Sequence, residues 1–182
     1  MLEQELGKFA EARELFDLSI SLLEPIRDSR LLAIALGNLG VLELEVGAYD
    51  AELALHERGR ALLAGSEDAR SQALCLARVG ATLALLGKSS DAEMRFARAG
   101  RLAARADSTV VEAVELARAF LHLGRARRTR GGTDPVRFES ALAAARVAMK
   151  PFIDRGTPHR SDDVRAFIRI ARAVADDLEP FK

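Results

Sequence analysis

The side chains of this 182-residue chain with the types to do chemistry are three histidines, one cysteine and a run of arginines. His56, His122 and His159 lie far apart, and none has a second His or Cys three to five residues away. That spacing would be needed to place two metal ligands together on one short segment. Cys75 stands alone between Leu74 and Leu76, which excludes an intrachain disulfide and every multi-cysteine metal site. It reads as a small buried hydrophobe in a reducing compartment. No serine or cysteine sits in a glycine-flanked nucleophile elbow. Gly131-Gly132 lacks the lysine and the preceding strand of a phosphate-binding loop. The adjacent pairs Asp162-Asp163 and Asp176-Asp177 point to different sides of a helix, and so read as caps and solubilising charge. The chain is therefore read as having no catalytic set, no metal and no cofactor, and not as an enzyme.

Arg125-Ala126-Arg127-Arg128-Thr129-Arg130 is the sharpest local charge feature. One reading is a solvated helix end, with cations at the negative end of the dipole. The other is an anion-binding patch for an acidic peptide or a phosphate. Nucleic acid is a poor third: Lys plus Arg equals Asp plus Glu at 27 each, and aromatics are only 5% with no Trp to stack on bases. No stretch approaches the roughly 18 uninterrupted apolar residues of a membrane span, and the N-terminus has no signal-peptide pattern. The reading is a cytoplasmic protein without membrane attachment.

The elements that must position these groups follow from a repeat. Gly80, Gly87, Ala92, Phe96 and Ala99 form a skeleton that returns forty residues earlier as Gly40, Gly47 and Tyr49. It returns forty earlier again as Gly7, Phe9, Ala12 and Phe16, a copy that has lost its front half, and later as Gly124, Gly131, Phe138, Ala141 and Ala148. A period of 20 to 50 residues means stacked supersecondary units. Ala, Leu, Arg and Glu dominate, so the units are helical. Apolar positions three and four apart predict helices over 8–26, 29–46, 49–64, about 68–86, about 90–105, one beginning at 107–109, one carrying Phe138 to Ala148, and 161–178. Met1 to Leu6 reads as too short for a helix of its own. Ser66 or Asp68, Asp134, and Ser161-Asp162-Asp163 are the expected caps. Ser90 with Glu93 and Thr109 with Glu112 are the expected capping boxes. Pro25 ends one helix; Pro151, Gly156 and Pro158 make another break. Gly40, Gly80 and Gly124 inside helices require a close neighbour.

These residues resemble the tetratricopeptide repeat over residues 1 to about 150. The best copy is Leu76, Val79, Gly80, Gly87, Ala92, Phe96 and Ala99; in the preceding copy Glu52, His56 and Gly59 stand where the family has Ala, an aromatic and Ala. The long period is similar to that of kinesin light chains and bacterial signal-transduction regulators. The resemblance implies an all-α, right-handed superhelix of antiparallel helix pairs with a C-terminal capping helix. As a single domain over 1–182 it divides into a truncated first repeat (1–28), repeats at 29–66, 67–107 and 108–151 with a loop insertion, and a terminal helix at 159–179.

The resemblance also implies where a ligand would lie, because the first helix of each pair lines the concave groove and the position two before its glycine faces the ligand. Those positions are Asn38, Arg78 and His122. Beside them fall Val41, Ala81 and Arg125, then Glu45, Leu85 and Thr129. The expected partner is a protein or peptide of acidic character, and the expected role is the sensory or scaffolding segment of a bacterial-type regulator. The alternative is a homodimer through the open first repeat, which leaves Phe9, Phe16 and Leu23 uncovered.

Overall fold

The computed structural model describes residues 2–130, 134–154 and 161–175. Among them are nine α-helices, one short 3-10 helix and no strand. The helices are α1 (Leu2–Leu23), α2 (Ser29–Glu45), α3 (Tyr49–Leu62), α4 (Ala69–Leu85), α5 (Ser89–Ala103), α6 (Ser108–Arg118), α7 (Phe120–Thr129), α8 (Pro135–Asp154) and α9 (Ser161–Ala175); Pro25 lies in the 3-10 turn Glu24–Ile26 after α1. Neighbours in sequence pack as pairs, α2 on α3, α4 on α5 and α7 on α8, and successive pairs stack, as in a helical solenoid. The expected features Gly131, Gly132, Thr133, Gly156, Pro158, His159, Asp176, Asp177 and Leu178 lie outside the described residues.

Aspartates start the first helix of each pair. The Asp28 carboxylate accepts from the backbone N–H of Arg30 and Leu31, Asp68 from Ser71, and Asp107 from Thr109 and Val110. Each satisfies donors that a helix start would otherwise leave open. The arginine two residues on reaches the next cap, Arg30 to Asp68 at 3.2 Å and Arg70 to Asp107 at 2.5 Å, so the caps form a ladder along the stack. Gly47 and Gly87 end α2 and α4 at φ of 79°, and the following N–H returns to the carbonyl of Glu43 or Leu83. That left-handed stop is where glycine carries no Cβ penalty. The capping boxes do not form. α5 starts at Ser89 with no side-chain cap, and Thr109 lies inside α6, whose start Asp107 already caps.

The interior glycines meet what the repeat requires of them. A Cβ on Gly80 would sit 3.0 Å from the Phe96 ring, and one on Gly40 would sit 2.7 Å from His56 Nε2. His56 thus occupies the place of the repeat's aromatic. Gly124 differs, since its Cβ would come within 2.0 Å of the Ala84 carbonyl oxygen, so α7 abuts the backbone of α4 instead.

Three expectations are corrected. α1 runs unbroken through Gly7 from Leu2, because nothing about a lone glycine stops a helix that continues on both sides. The helix expected from 107 through Gly124 is two helices, α6 and α7, meeting at Ala119, whose N–H bonds Leu116 three residues back in a tight turn. Pro151 lies inside α8, which continues to Asp154.

α9 closes the stack. It packs on α7 and α8 and also on α2, and Arg169 pairs with Glu45 at 3.0 Å. Its stripe Ala166, Phe167, Ile170, Ala171 and Val174 belongs to one apolar cluster with Leu44 of α2, Ala81 and Leu85 of α4, and Phe120 and Leu121 of α7. Phe167 meets Phe120 edge to face with centroids 5.0 Å apart.

Candidate functional site: a cleft between α2 and α4

Successive first helices α2 and α4 leave a cavity of about 200 Å3 between them. Ile34, Gly37, Asn38 and Val41 line it from α2, Leu74, Cys75 and Arg78 from α4, and His56 and Leu63 from α3. The space exists because α2 carries Gly37 and Gly40 on this side, which admit the His56 ring but fill little volume themselves. The lining is mostly apolar, with the Asn38 amide and the Arg78 guanidinium as its polar groups of longest reach.

Of the nine groove residues named from sequence, the cavity brings together Asn38, Val41 and Arg78. Ala81 and Leu85 are buried in the core, and Ala81 also lines a second space of about 40 Å3 with Arg78, Ala113 and Phe120. Glu45 is engaged by Arg169. Arg125 turns to Glu93 of α5 at 3.1 Å, and the Thr129 hydroxyl donates to carbonyls of its own helix, Arg125 and Ala126. His122 is half-buried, and burial, then the nearby Arg125 charge, holds its pKa below the ordinary histidine value. The arginine run is partly internal structure as well. Arg127 donates to the Leu85 carbonyl at 3.0 Å and lies 4.5 Å over the Tyr49 ring.

Cys75, His56 and Glu52 are the residue types of a thiol hydrolase, but their geometry is different. The thiol donates to the His56 backbone carbonyl at 3.1 Å, and burial, then the charge of Glu57, pushes its pKa to about 11. Such a thiol stays protonated and inert near neutral pH. Among the described residues no group of three or more His, Cys, Asp or Glu could hold a metal ion. No helix among them is long and apolar enough to cross a membrane.

Two features escaped sequence reasoning. The Asp-x-Arg cap ladder recurs at Asp28–Arg30 and Asp68–Arg70, forty apart, so the period used for the glycines would have found it. The reach of Arg127 across three helices left no local signal.

Residues 1–65 match the family model of the tetratricopeptide repeat. No curated protein and no solved structure matches the chain. The matched segment contains α1, α2 and α3, and the same helix-pair geometry continues through α4 and α5. Repeats of this kind mediate protein–protein interaction.

Proposed function

We propose that the α2–α4 cleft is the docking point for a polypeptide segment of a partner protein. One apolar side chain enters the cavity, while Asn38 and Arg78 engage the backbone or an acidic neighbour. In this reading the chain is the scaffolding or sensory segment of a bacterial-type regulatory protein. The supporting observation is that side chains of two successive repeats converge on one cavity of about 200 Å3. That is smaller than the roughly 300–1,000 Å3 of small-molecule sites, and it suits a single side chain. Peptides selected from a random displayed library on the wild-type chain provide the test. They are expected to share one aliphatic residue beside an acidic one. Val41→Trp, which fills the cavity, is expected to lower their affinity at least tenfold, and Arg78→Ala to cost roughly 1.5–3 kcal/mol. Unchanged binding by both variants defeats the reading.

A second reading, self-association, is favoured by α1. Its Leu15, Leu18 and Leu22 are 68%, 56% and 62% exposed and share one face of the helix. Phe9, Phe16 and Leu23, the residues expected to be uncovered, are instead half-buried. Apolar faces of this kind commonly mark interaction sites. Sedimentation equilibrium separates the readings: a dimer abolished by Leu18→Lys supports self-association, and a monomer at high concentration removes it.

A further inference from the structure

The second helix pair buries polar groups where the third buries apolar ones. Ala92 and Phe96 of α5 are replaced forty residues earlier by Glu52, which is fully buried, and His56, 3% exposed. Neither Glu52 oxygen has a hydrogen-bond partner, nor does His56 Nε2, which lies 3.6 Å from Glu52 Oε1. The surrounding elements offer them no other counter-charge. α2 turns Gly37 and Gly40 to the ring, and its buried Glu43 is taken by Arg13 of α1 at 2.7 Å. α4 offers the Cys75 thiol, already bonded to the His56 carbonyl, and Arg78 in the wall of the shared cavity. On α3 itself Glu57 pairs with Arg60 and Arg95, and Tyr49, close enough to feel the Glu52 charge, lies under Arg127 of α7.

We propose that Glu52 and His56 hold a single proton between them and act as a proton-operated latch on the α2–α3 contact. With one proton the pair is neutral overall. A second proton leaves a buried cation without an acceptor, and loss of the first leaves a buried anion without a donor; both are strongly disfavoured away from water. In the unfolded chain the same side chains titrate near about 4.3 and 6.5. Below about pH 4 the unfolded chain therefore holds two protons against one in the fold, and above about pH 7 it holds none against one. The latch weakens in both directions and is tightest between them.

The test compares urea denaturation of the wild-type chain and the double variant Glu52→Ala, His56→Phe between pH 3 and 9. Below about pH 4, and again above about pH 7, the wild-type unfolding constant is expected to rise about tenfold more per pH unit than that of the variant, one proton's worth. Parallel profiles overturn the proposal. A second measurement needs no variant: the His56 ring resonances of the wild-type chain are expected to stay constant from pH 8 to pH 5. An ordinary histidine titration of His56 in that range overturns the latch.

Discussion

A methyl group at Gly124 would meet a carbonyl oxygen that belongs to another helix's backbone and cannot swing aside. Gly124→Ala is therefore expected to destabilise by about 1–3 kcal/mol despite the roughly 1 kcal/mol that alanine gains in a helix. Gly100, in the interior of α5 with nothing within 4 Å of its added Cβ, should behave oppositely. Gly100→Ala is expected to stabilise by about 0.5–1 kcal/mol, and urea midpoints check both. At Asp68, burial raises the pKa, but the hydrogen bonds from Ser71, with the Arg30 charge, bring it below the ordinary value. A depressed carboxylate stabilises the fold above the ordinary aspartate range and loses that contribution as pH falls through it. Asp68→Asn keeps a capping oxygen and should flatten that acid loss, whereas Asp68→Ala should cost about 0.5–2 kcal/mol at neutral pH. Thermal melts at pH 7 and pH 3 distinguish them. The position of His56 was legible, because Gly40 and the forty-residue offset put it where an aromatic belongs. That Glu52 is buried without a partner was not, since no local pattern announces a missing hydrogen bond.

Elements pack here through a few long side chains as well as through the apolar stripe. Arg127 joins α7 to the C-terminal carbonyl of α4 and to the Tyr49 ring of α3. Arg127→Ala removes a charge-assisted hydrogen bond and a cation–π contact and is expected to cost about 1–3 kcal/mol, read from urea denaturation. Arg125→Ala, which frees only an exposed ion pair with Glu93, should cost under about 1 kcal/mol by the same measurement. Helix periodicity and the turn glycines made the pairs legible through α5. The break at Ala119 was not, because Leu116, Phe120 and Leu123 continue the apolar spacing across it. Only the approach of α7 to the backbone of α4 requires the change of direction. The groove was legible in part for a related reason. Asn38, Val41 and Arg78 keep the register of the regular pairs, while Arg125 and Thr129 ride on α7, after the break.

Across the whole molecule, burial is uneven. Ten residues of α4 are buried, seven of α2, and of α1 only Ile20 among its described side chains. Local opening follows burial, so amide exchange is expected to be slowest in α4 and fastest in α1. Uniform protection along the chain would contradict that gradient. α9 alters the arithmetic of a linear array, in which each unit touches only the next. By reaching α2 as well as α7 it joins the second helix of the chain to the last one described, through Glu45 and Arg169, 124 residues apart. Local pairs can assemble as soon as their helices meet, but this contact must first close a long loop, and non-local contacts of that kind slow folding. The search that limits the rate of folding is thus for the two distant ends of the chain to find one another, after the repeats between them have formed.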